Sequence, residues 1–161
     1  MNTKQLWNAL CLNPVTNNYF DGIYSSDTLK DIIEKPELII CNTDPSDKPG
    51  EHWVLFFFHD KSVDFFDSLG RDINYYGSVF IDFIANFARS YKQCIKRTQP
   101  VESDLCGQYC LYYASKVCSK LSMEEIIYNI PDYEYVVNFV NRNFYICPKL
   151  HCSLLQCCNL C

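Results

Sequence analysis

Glycine and proline are scarce in this chain, five and seven among 161 residues. That scarcity excludes collagen-like, linker-rich and low-complexity architectures. Long apolar runs are missing as well, and nothing approaches the roughly 20 consecutive apolar residues that span a bilayer. The opening Met1-Asn2-Thr3-Lys4-Gln5 leads into no apolar secretory core. No internal repeat or linker breaks the sequence. A basic excess is lacking too: the formal charge is -5, so bulk attraction to nucleic acid is excluded as the main source of binding. These absences lead us to expect a soluble, non-secreted monomer without membrane contact.

What is abundant is apolar and aromatic. Hydrophobic residues make up 48% and aromatics 16%, enough for one domain with a dense core holding several polar handles. Eleven cysteines are an odd number, so complete internal pairing is impossible, and without a secretory signal reduced thiols are the default. Most of Cys11, Cys41, Cys94, Cys110 and Cys118 sit among apolar residues and read as small buried hydrophobes.

Periodicity organises residues 1–146 as one domain, with a Cys-rich tail at 147–161. A short helix fits 3–11, and Ser26 or Asp27 could cap a helical turn near 28–33. Leu38–Cys41 and Trp53–Phe58 are apolar runs that read as strands, separated by the turn-rich segment 42–50. The polar connection 59–62 returns the chain into a strand at 63–66, and Asp67 stands at its end. Phe80, Ile84, Phe87, Tyr91 and Ile95 recur at three- and four-residue steps, predicting one helix over 79–97 with Ser78 as its cap. A second helix is predicted from Ser103 or Asp104 to about Lys120. Ser122-Met-Glu-Glu125 is a capping box opening a shorter helix, and a last helix runs over 133–143. Helices and strands are segregated, so the fold class is α+β, a mixed central sheet packed against helices.

Chemistry concentrates at four positions. Cys106 falls in the first turn of a predicted central helix, where the dipole and unpaired N–H groups favour a thiolate. His52 stands at the mouth of a strand as its base. A hairpin of the two strands would bring Asp67 back beside the imidazole to fix its tautomer. Gln99, seven residues before Cys106, and the Cys106 backbone N–H are the donors for an oxyanion hole. Each residue alone has a structural reading: a core cysteine, a satisfied strand histidine, a turn aspartate. Together, in this order, they fit thiol acyl transfer, which needs no metal or organic cofactor. His59 is the rival base, placed in the hairpin tip, and His151 lies in the tail.

At these residues the sequence resembles adenain, the adenovirus-type cysteine endopeptidase, in the superfamily that also holds the SUMO-deconjugating proteases. Tyr19-Phe-Asp-Gly-Ile-Tyr-Ser-Ser-Asp-Thr-Leu29 resembles its N-terminal segment, and Asn42-Thr through Gly50-Glu-His52-Trp53 its histidine motif. Gln99 to Cys106-Gly107 has its glutamine-to-cysteine interval, and Val136 to Phe144 is similar to its closing helix. The resemblance implies cleavage of virus structural precursor proteins at glycine-containing sites during particle maturation, inside the host cell nucleus or cytoplasm or within the virion. Members of the family are stimulated by a basic, disulfide-linked peptide and by DNA. This acidic chain departs from that pattern, with Cys94 the nearest candidate for a peptide-pairing cysteine, so an activating peptide stays open as a partner and nucleic-acid binding is expected to be at most weak. Asp67 stands where adenovirus enzymes carry glutamate, and Leu105 directly before the nucleophile is another departure. The alternatives are a deconjugase acting on ubiquitin-like proteins and an inactive protease-fold binding module.

Two features fall outside this scheme. Arg89, Lys92, Lys96 and Arg97 cluster at the end of the predicted helix 79–97, where cations suit the dipole; any nucleic-acid contact there is expected to be weak. Cys147, His151, Cys158 and Cys161 have metal-ligand spacings, but the segment joining them is short, and no bound metal is expected.

Overall fold

The computed structural model describes residues 1–146; the segment 147–161, with its metal-like cysteine and histidine spacing, lies outside the described residues. The fold is α+β. Five strands form one mixed sheet in the spatial order β1 (Phe20–Ser25), β2 (Leu38–Asn42), β3 (Trp53–Phe58), β4 (Ser62–Phe66) and β5 (Ser90–Gln93). The three central strands are antiparallel, and each edge strand pairs parallel to its neighbour.

Helices cover both faces of this sheet. Trp53, Leu55 and Phe57 of β3 join Leu38 and Ile40 of β2 in a core beneath α1 (Thr3–Leu12), α3 (Cys106–Cys118), α4 (Met123–Tyr128) and α5 (Tyr133–Asn143). Val54, Phe56 and Phe58 face the other way, against 3-10 turns at Ser26–Asp31 and Ile73–Tyr76 and against α2 (Ser78–Phe87). Burial on both sides is why β3 reads as a continuous apolar run rather than an alternating one. Phe56 packs edge-on to Phe80 and Phe83 at ring separations of 5.5 Å, which fixes α2 over the sheet.

The helix expected over 79–97 is half helix and half strand. Helix α2 stops at Phe87, Ala88 turns extended, and the Arg89 N–H donates to the Lys61 carbonyl at 2.9 Å. Residues Ser90–Gln93 then pair with β4. The open edge of β4 needs partners for its backbone groups, and that demand overrides an apolar stripe that happens to continue at helical spacing. Tyr91 and Ile95, assigned to the buried stripe, are exposed. Gly77 at φ 81, not Ser78, caps α2. Helix α3 begins at Cys106, later than Ser103 or Asp104, and has no side-chain cap. Strand β1 had no alternating pattern to reveal it. Cys41, Cys94, Cys110 and Cys118 are buried as expected, whereas Cys11 is exposed.

Candidate active site

The β3–β4 hairpin brings the residue before β3 and the residue after β4 to the same end of the sheet, with Leu55 opposite Phe66. Those flanking residues are His52 and Asp67. His52 Nε2 lies 2.6 Å from Asp67 Oδ1, and the residues are 4% and 0% exposed. The His52 carbonyl accepts from Thr43 N–H at 2.9 Å, holding the histidine at the end of the strand rather than in the loose loop. Helix α3 packs along β3 and presents Cys106 at its first turn, in the groove it shares with His52 and close enough for thiol and imidazole to shift each other's pKa. With Nε2 turned to Asp67, Nδ1 is the imidazole nitrogen left for sulfur.

Asp67 is a fully supported buried carboxylate. Besides His52 it accepts from the N–H groups of Leu69 (2.8 Å) and Arg71 (3.1 Å) and from the Tyr76 hydroxyl (2.7 Å). Burial pushes its pKa up, but these donors outweigh burial and hold it below the usual carboxylate range. Burial pushes His52 down; hydrogen bonds and charge from Asp67 and Cys106 overcome that and raise it to about 9. Burial would raise the Cys106 thiol, yet His52 and the backbone N–H groups of Trp53 and Gly107 lower it. The three shifts all run in the direction that favours an imidazolium facing a thiolate, with a carboxylate behind it. By contrast Cys41, Cys94, Cys110 and Cys118 are all raised by burial. The uncapped start of α3 leaves amide donors open beside sulfur, which a Ser or Asp cap would have occupied.

Gln99 is 5% exposed and its amide is fixed at both ends. Oε1 accepts from Ser68 Oγ at 2.7 Å, and Nε2 donates to the Ser103 carbonyl at 3.0 Å, leaving one N–H to spare. Ser68 sits beside Asp67, and its carbonyl accepts from the N–H groups of Thr98 (2.9 Å) and Gln99 (3.1 Å). Gly70 makes this docking close: at φ +66, a Cβ there would stand 2.5 Å from the Arg97 nitrogen. His52, Gln99 and Cys106 therefore share one groove of about 570 Å³, walled in part by Met1, Trp53 and Leu69. The Trp53 indole donates to the Met1 carbonyl at 3.0 Å, and Met1 side-chain atoms stand 3.0 Å from where a Cβ on Gly107 would be.

Tyr76 and Ser68 are the partners sequence reasoning missed; neither carries a local signal, because each meets its target only through tertiary docking. The rival base His59 lies 3.1 Å from Asp64 through Nε2 and is 43% exposed, at the hairpin end away from Asp67. Arg89, Lys92, Lys96 and Arg97 do not share a helix face. Lys92 lies in the edge strand β5, Arg89 just before it, and Lys96 and Arg97 beyond its end. Lys92 pairs with Glu124 at 2.9 Å, and Arg97 turns to the groove. Cys94 follows β5, is buried, and donates to the Lys96 carbonyl.

The mixed sheet thus carries a histidine at the mouth of β3, an acid at the end of β4 and a cysteine opening the central helix. Among the solved structures it resembles is the ASFV pS273R protease, with a TM-score of 0.60 and 19% identity, over 90% of this chain and 65% of that one. The selenomethionine structure of that protease aligns over 71% of this chain and 46% of that one, at 20% identity and a TM-score of 0.47. This chain thus spans about two thirds of the ASFV protease it matches. No protein-family model matches the sequence, and no curated protein matches it. The likeness lies in the fold alone, and nothing in it singles out the adenovirus branch.

Proposed function

We propose that this chain is a viral-type cysteine endopeptidase that cuts virus structural precursor proteins at glycine-containing sites. The observation that carries the reading is the placement of Cys106. Among the described cysteines whose pKa is displaced, its thiol alone is lowered; it opens an uncapped helix and faces a histidine whose other nitrogen is bonded to a buried carboxylate. In the reaction the Cys106 thiolate attacks the scissile carbonyl carbon. The oxygen gains charge and takes donors from Gln99 Nε2 and the Cys106 N–H. The His52 imidazolium gives its proton to the leaving amine, and the C–N bond breaks to leave an acyl-thioester. Neutral His52 then takes a proton from water, whose oxygen attacks the thioester and frees the new carboxylate, and the thiolate is restored.

Trp53 and Met1 wall the approach to Cys106, and a narrow passage favours small residues at the cut. Glycine there agrees with the family resemblance, and the extended substrate would bind partly through strand-like backbone contacts. Such an enzyme would work in the infected cell or in the particle. The test is a glycine-containing peptide panel set against folded ubiquitin-like fusions, with Cys106→Ala as blank. Turnover of peptides is expected. Turnover of the fusions alone would make the chain a deconjugase, and turnover of neither would leave either a missing activator or an inactive binding module.

A further inference from the structure

The chain has four arginines, and two of them, Arg71 and Arg97, line the groove that holds Cys106. No lysine lines it. The two come from different segments held together by the Gly70 docking, which sets the residue before Arg71 against the Arg97 backbone. The Arg71 guanidinium lies over the Tyr75 ring at 4.6 Å and is bonded to Tyr76, so it is oriented rather than free to swing. Neither arginine has an ion-pair partner among the described residues. Strand order places them. Trp53 and Gly50 stand on the β2 side of His52, and a second, polar groove continues from them past Asn42 and Ile23. Arg71 and Arg97 stand on the β4–β5 side, since Arg71 follows β4 and Arg97 follows β5. An extended chain crossing the end of the sheet would therefore run its small residues along the wall formed by the bonded Trp53 and Met1 and meet the arginines on the other side of the cut.

We propose that Arg71 and Arg97 form a subsite selecting an acidic side chain in the substrate, on the opposite side of the scissile bond from its small-residue segment. The inference rests on the endopeptidase reading. Arginine suits this role because its planar fork takes a carboxylate through two parallel N–H donors, which a lysine does not match. The groove also carries Glu51 and Asp104, next to His52 and near the start of α3, so an acid is favoured only at the position opposite the arginines and disfavoured elsewhere.

The test scans Asp, Asn and Lys through each position of a cleaved glycine-containing peptide. At one position Asp is expected to exceed Asn in kcat/KM by about three- to tenfold at low salt, shrinking as salt rises, as for exposed charge pairs. Arg97→Glu and the Arg71→Glu/Arg97→Glu double variant should invert that order toward Lys. The same peptides are bound to Cys106→Ala protein and followed by fluorescence anisotropy, so that recognition is read without chemistry. Acid preference in binding with no hydrolysis by the intact chain would sink the endopeptidase reading and keep the subsite. Hydrolysis with no acid preference at any position, or a preference that survives charge reversal, would overturn the subsite. A single-stranded oligonucleotide that displaces the acidic peptide at lower concentration than unlabelled peptide would overturn it too, assigning the arginines to phosphate.

Discussion

At the scale of the residue, charge placement around Cys106 governs behaviour with pH. Activity requires the imidazolium–thiolate pair, so kcat/KM should fall on the alkaline side near pH 9, where His52 loses its proton. On the acid side it should fall as sulfur and Asp67 are protonated. Stability follows the same shifts. Folding raises His52 from about 6.5 to about 9, so its contribution is full below 6.5 and is lost as pH rises through 9. Folding lowers Asp67, so its contribution is present above the usual carboxylate range and is lost as pH falls through the lower folded value. Denaturant midpoints measured across pH should decline at both ends, and Asp67→Asn should flatten both limbs. Tyr76→Phe removes one donor from the carboxylate, so the acid limb of the rate profile should move to higher pH; an unmoved limb would show that the hydroxyl does not tune Asp67. Cys106→Ala should abolish hydrolysis with the fold intact, and alkylation followed by mass spectrometry should label Cys106 before Cys110 or Cys118. Gln99→Ala should lower kcat by about 10²- to 10³-fold, the usual cost of one oxyanion donor.

At the scale of the element, the hairpin is the most informative unit. Its two strands and the positions of His52 and Asp67 at one end were legible, because continuous apolar runs around a polar turn admit few other arrangements. The capping box at Ser122 and the closing helix were legible for the same local reason: Ser122 Oγ accepts from Glu125 N–H in the structure. Strand β5 was not, since Ser90–Gln93 has no pattern of its own and is a strand only because β4 offers an edge. The Gln99 amide could be named from the sequence as a donor, but its orientation comes from Ser68, thirty-one residues away, and no periodicity carries that. The same hairpin holds a buried polar pair: Asp64 of β4 accepts from the Tyr113 hydroxyl of α3 at 3.3 Å, and Tyr113 stacks on Phe66 at 4.4 Å. Tyr113→Phe keeps the stacking and removes the donor, so unfolding should become easier by about 1–2 kcal/mol. A change within experimental error in a urea titration would mean that His59 alone satisfies Asp64.

At the scale of the whole molecule, the cations do not make a field. Arg89 and Arg97 stand at opposite ends of the sheet and Lys92 is paired with Glu124, on a chain of net charge -5. Any nucleic-acid binding should be weak and should disappear between about 50 and 200 mM salt, as expected for at most a few phosphates; anisotropy with a labelled duplex reads this directly, and tight binding at high salt would contradict it. Among the described residues no helix is long and apolar enough to cross a membrane. The Gly70 docking has a different consequence, for heat. Asp67, Gln99 and the arginine wall all depend on a few hydrogen bonds between two loops, while the sheet beneath them is sealed by helices on both faces. Small, solvent-facing units open at lower free energy than the core they rest on. Warming should therefore abolish the proposed hydrolysis before the chain melts, reversibly, with a gap between the temperature of inactivation and that of unfolding. Gly70→Ala should widen that gap.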